Sequence, residues 1–219
     1  MQGLISLYFR MNYSSYSPLR KLGPATSVVG FFLFRLNIIM LYYRDWNPGI
    51  ENGNDTLISV LNTLPGSDSI DISWYVKIIE NPKSPFSLPG AICLESHDCI
   101  HALLGRGLLN QDEAFVIGYT MGNATSLKNW HVALYKYYAS NIFPKIYRFG
   151  ERELIAFDLG IVYGKTRRTK NIHQVNFDLY KNKTMGEIRA IFDINLDILR
   201  HNRYIERTLF KNSKASKRL

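Results

Sequence analysis

Apolar residues in this chain recur at helical intervals, and no run of them alternates with polar residues between hairpin turns. Leu154, Phe157 and Ile161 are typical, because three- and four-residue steps put them on one stripe of a helix over 150–168. Turn residues divide the rest into further helices. Pro24 and Pro48 bracket an apolar helix, and Asp55 is placed to cap a short one ending near Pro65 and Gly66. Another is expected over 71–80, before three prolines in 81–89 impose an irregular loop. A helix from about residue 90 to Leu104 ends at Gly105 as its C-terminal cap, and Asn110 is placed to cap the next, which runs towards Asn123. Others are expected over 127–142, from the capping box of Thr184 and Glu187, and from near Leu196 onwards. The expectation is all-α: a single-domain helical bundle with an apolar N-terminal segment (1–56), a core (57–195) and a C-terminal helix with a basic tail (196–219).

The 219 residues suffice for a sizeable core, and 46% hydrophobic with 21% charged residues is ordinary for a folded chain. Aromatics, at 13%, equally suit an apolar tunnel or a membrane-facing surface. Cys93 and Cys99 are six apart and point different ways on one helix, which argues against a mutual disulfide and for a reducing compartment. The stretch 28–43 is very apolar but shorter than a bilayer span and interrupted by Arg35 and Asn37, so a buried or interfacial helix is expected there. No secretory signal is recognisable, so the chain reads as not secreted.

The net charge of +9 is uneven. Residues 200–219 hold seven Lys and Arg against Glu206, and a second cluster is Lys165, Arg167, Arg168 and Lys170. Such clusters attract anionic headgroups; no nucleic-acid motif accompanies them. The last ten residues read as a solvated, frayed end.

His97, Asp98 and His101 fall at helical spacing, one turn before Gly105, while Glu113 lies in the first turn after Asn110. If the two helices fold back as a hairpin, two imidazoles and two carboxylates converge near the turn. Such a set binds a divalent metal through nitrogen and oxygen donors, and zinc, magnesium, manganese and iron all accept it. Each residue also has a bland role. Asn110 and Glu113 match a capping box, and an acid in a first helical turn suits the helix dipole.

The pattern His97-Asp98-x-x-His101, eleven residues, then Glu113 resembles the signature of the fourth Coq protein family of ubiquinone (coenzyme Q) biosynthesis. The segment from Gly164 to Arg168 and the later Met185-Gly186-Glu187-Ile188-Arg189 are similar to that family's basic helix and its ending. The likeness spans Leu57 to Ile194. It implies an all-α protein peripherally associated with a membrane, on the cytoplasmic side or in a mitochondrial-matrix-type setting. The metal, zinc in that family, would be held by His97, Asp98, His101 and Glu113. The implied partners are a prenylated quinone precursor or isoprenoid lipid, an anionic membrane surface and other quinone-biosynthesis proteins, with homo-oligomers compatible. The implied chemistry is removal of the C1 ring carboxyl with hydroxylation there.

Gly118 and Gly122, and again Gly160 and Gly164, are spaced for close helix contact. Alternatively they leave room for an isoprenoid chain beside Phe115, Tyr119 and Phe157, forming an apolar lipid groove. Lys165, Arg167 and Arg168 can grip a headgroup or phosphate, or simply end a helix. Three functions are therefore open: a metal-dependent decarboxylase of a prenylated hydroxybenzoate-type precursor, a non-catalytic prenyl-lipid-binding scaffold, and a metal-dependent hydrolase related to His-Glu-x-x-His proteins.

Overall fold

The computed structural model describes residues 44–65, 82–84 and 87–218. The expected helices over 28–43 and 71–80 lie outside these. The described residues contain helices and no strand; Thr56 and Thr184 form one isolated bridge. The α-helices are α1 (Leu57–Leu61), α2 (Leu94–Leu104), α3 (Asn110–Asn123), α4 (Asn129–Tyr137), α5 (Glu151–Thr166), α6 (Met185–Ile191), α7 (Leu196–Leu209) and α8 (Lys214–Arg218). Short 3-10 turns at Ile172–Gln174 and Phe177–Tyr180 join α5 to α6.

Local sequence explains most boundaries. Gly105 ends α2 at φ 64°, a left-handed conformation that glycine adopts without strain. Thr184 and Glu187 form the expected capping box on α6. Thr56, rather than Asp55, caps α1, its hydroxyl accepting the Ser59 N–H. α4 widens into a π-helical turn at Tyr138–Ile142 before Pro144 stops it.

The centre of the molecule is the α3–α5 pair. A side chain on Gly118 would strike the Phe157 carbonyl, and one on Gly122 that of Ile161; Gly160 faces the Phe115 carbonyl, and Gly164 that of Tyr119. Both numbers rise together along the contact, so the helices run parallel and α4 with its following turns carries the chain back between them. Opposing backbone fills the glycine positions, and Phe115, Tyr119 and Phe157 are fully buried. The glycines thus serve close packing and leave no groove for a prenyl chain among these residues, a correction to the second sequence reading.

Two further expectations change. Arg167 is buried, stacks over Tyr163 and bonds the Asp193 carbonyl at 3.0 Å, while Arg168 reaches the Asp193 carboxylate at 3.1 Å. Only Arg167 is thereby taken into the fold; Arg168, paired with Asp193 but with its side chain 90% exposed, keeps the headgroup reading together with exposed Lys165. Nor is the C-terminus frayed. Ser213, Ala215 and Ser216 are buried, and Arg218 bonds Asp45 at 2.6 Å.

Candidate metal centre

The turn between α2 and α3, residues 105–109, carries the site. α2 buries Cys99, Ile100, Ala102, Leu103 and Leu104, which fixes its rotation and brings His101 to 0% exposure. Its C-terminal carbonyls are held from outside. Arg189 Nε donates to the Leu103 carbonyl at 2.9 Å, and Arg203 donates to that of Gly105. Arg106, fully buried, makes a bidentate pair with Glu206 at 2.6 and 3.1 Å and lies over the Phe115 ring. Gln111 bonds Glu206 and Ser216, and Ser213 donates to Gln111 at 2.5 Å. This network clamps α7 and α8 onto the hairpin turn. The sequence reading missed it, because its partners lie about a hundred residues apart and no local spacing links them.

Glu113 lies in the first turn of α3, as the dipole reading expects, but is not part of a capping box. Leu109, not Asn110, occupies the position before α3, and the Asn110 amide donates to the Ile146 carbonyl at 2.8 Å. No capping box forms there, and the Glu113 carboxylate turns to the histidines. Its Oε2 lies 3.3 Å from His101 Nε2 and 3.5 Å from His97 Nε2. The two imidazoles meet edge to face, with centroids 4.5 Å apart. One ligand atom from each of His97, His101 and Glu113 fits within 4.8 Å of the others. Two imidazole nitrogens and a carboxylate oxygen so spaced suit a divalent cation. His101 Nδ1 is buried without a hydrogen-bond partner, so nothing on its outer side fixes the ring as in most metal-bound histidines.

Asp98 stands apart. Its carboxyl is outside the three-residue group and lines a cavity of about 550 Å³. Ile58, Leu61, Leu64, Val175 and Phe177 supply apolar wall, with Lys181 beside them. His173, to which the sequence assigned no role, borders the same space, its Nδ1 buried and unpartnered. Cys93 and Cys99 border it too; both are free thiols.

The charges are strongly coupled. Burial pulls His97 down to about 4, helped by the neighbouring His101. Burial also opposes charge on His101, but Glu113 outweighs it and lifts the ring to about 8. Glu113, raised by burial, is carried down to about 2 by His101 and His97. Burial pushes Asp98 up to about 6. Without metal, the site therefore holds an imidazolium–carboxylate pair, with His97 neutral beside it.

Compared with protein-family models, curated proteins and solved structures, the chain shows no match.

Proposed function

We propose that this protein binds a divalent metal at His97, His101 and Glu113 and handles a prenylated quinone precursor beside it, acting in C1 decarboxylation and hydroxylation of the ring, in which the carboxyl leaves as CO2 and an external oxygen-donating two-electron oxidant supplies the hydroxyl oxygen. The observation that carries this reading is the convergence of the three ligand atoms on the same turn of α2 whose Asp98 opens onto a partly apolar cavity. A bound metal would supply Lewis acidity to a ring oxygen or carboxylate.

The chain's own residues do the rest. Ile58, Leu61, Leu64, Val175 and Phe177 offer an apolar lining for a prenyl tail, and the volume lies within the roughly 300–1,000 Å³ of ordinary ligand sites. Asp98, which lines the cavity and follows His97 on α2, would exchange a proton with a ring hydroxyl or carboxyl. Glu113, as a ligand, is a poor base and holds charge instead. Lys181, on the same wall and held by Asp178 at 2.6 Å, would have to share that partner to pair with the substrate carboxylate.

The test is mass spectrometry of lipid co-purifying with the full chain, together with turnover of a carboxylated prenylphenol given an oxidant. A prenylated ring compound and turnover abolished by His101→Ala support the reading. Bound prenyl lipid without turnover leaves a lipid-binding scaffold, and peptide or phosphoester cleavage would move the protein to the hydrolases.

A further inference from the structure

α4 shows apolar residues on two faces. Inward, Tyr135 is 1% exposed and stacks on Phe157 at 5.1 Å, with Ala139 buried beyond it. Outward, Trp130, Leu134 and Tyr137 follow at four and three residues, so they form one stripe. Trp130 and Tyr137 are each 58% exposed. Exposed Ile142 and Ile146 follow in the next turns. The inward face already anchors the helix, so the outward one is not forced into view by poor packing. Clustered large apolar side chains at a surface mark a place where something binds.

Charge indicates what binds. Residues 128–152 contain Lys128, Lys136, Lys145, Arg148 and Arg152 against Glu151, five minus one, or +4. Lys136 is held by Asp158 at 2.6 Å; Lys128 and Lys145 are exposed at either end of the stripe. Trp and Tyr among aliphatic residues, ringed by Lys and Arg, suit the boundary between headgroups and acyl chains. The face also adjoins the metal hairpin, because Asn110, which opens the helix of Glu113, bonds the Ile146 carbonyl.

We infer that the outward stripe of α4 and the turns after it, Trp130, Leu134, Tyr137, Ile142 and Ile146, dock on the surface of an anionic lipid bilayer. The C-terminal helices pack Arg203, Ser213 and Ser216 into the fold and leave Arg207, Lys211, Lys214 and Lys217 exposed, a basic surface that lacks the Trp and Tyr stripe of α4. That a prenylated precursor reaches the site from this side rests on the function proposed above; the docking surface does not.

Flotation of the full chain with vesicles tests it, comparing phosphatidylcholine alone with mixtures containing phosphatidylglycerol. The chain should float with the anionic vesicles and much less with the neutral ones, and salt should weaken the binding. The exposed-site variant Trp130→Ser with Tyr137→Ser should lose about tenfold or more of the partition. Lys128→Glu with Lys145→Glu should lose about as much, since each basic residue near the surface adds to the attraction. Unchanged circular dichroism would show that both variants fold. The inference is overturned if the wild type fails to float, if the aromatic variant floats like the wild type, or if that variant instead splits a lipid-free dimer. Metal content measured on the same samples separates the two readings. A chain that floats without binding metal removes the site and keeps the surface. One that binds metal but never floats does the reverse.

Discussion

His101 and Glu113, twelve residues apart, face each other at 3.3 Å across the turn that joins α2 to α3. One ring is fully buried and the other side chain is partly open. That contact closes the hairpin at the proposed cation position, and its protonation would control access to it.

Metal affinity should rise with pH and level off near 8. In the metal-free protein His101 keeps its proton up to about pH 8, against 6.5 ordinarily, because burial is outweighed by Glu113. A metal must displace that proton. Below pH 8 the apparent affinity should therefore fall by about tenfold per unit. Competition with a chromophoric chelator on both sides of pH 8 measures this; a flat profile would place the metal elsewhere.

The same pair affects metal-free stability. Glu113 is lowered from 4.5 to about 2, so its contribution is present above pH 4.5 and fades as the pH falls towards 2. His101 is raised, so its contribution is present below 6.5 and fades as the pH rises through 8. Glu113→Gln should thus destabilise the metal-free chain most between pH 4.5 and 6.5. Thermal melts in chelator across that range check it. An equal loss at pH 9 would argue against the ion pair.

Asp112 should gain from losing its charge. It is buried, its Oδ1 has no hydrogen bond, and burial raises it to about 6. Above pH 6 the fold therefore carries an ionised carboxylate at a cost, and below 3.8 it does not. Asp112→Asn should stabilise on the order of 2 kcal/mol near pH 7 and leave stability unchanged in acid. Urea unfolding at the two pH values decides.

Removing Glu206 should be severe. Glu206→Ala leaves the guanidinium of Arg106, 0% exposed, without its bidentate partner. A loss of about 3–5 kcal/mol is expected, whereas replacing both residues with apolar ones of similar volume should recover much of it. Chemical unfolding of the single and double variants makes the comparison.

Gly118→Ala tests the parallel helix pair. Alanine favours an isolated helix by about 1 kcal/mol. Here its methyl meets the Phe157 carbonyl, so a net loss of about 2 kcal/mol is expected. A raised melting temperature would show that α3 and α5 can move apart.

What the sequence revealed was local. Gly105 marked the end of α2, Thr184 and Glu187 marked the start of α6, and the helical spacing marked the all-α class, because each signal acts within one or two turns. The histidine pair and Glu113 were legible for the same reason, being separated by a single tight turn. Asp98 was placed with them because spacing along a helix gives rotation around its axis but not which way a short side chain finally leans. Arg167 looked available because Asp193, whose carbonyl it bonds, lies about twenty-five residues on. The parallel run of α3 and α5 was invisible in the glycine spacing, which is the same for either direction.

Metal analysis of the purified full chain, reconstituted at pH 8 and dialysed, decides whether His97, His101 and Glu113 hold a cation. The wild type should retain about one divalent ion per chain, and His101→Ala and Glu113→Ala should each lower the affinity by about a hundredfold or more while remaining folded. A wild type that holds no ion, or a His101→Ala chain that holds it equally well, would mean that this turn is not a metal site.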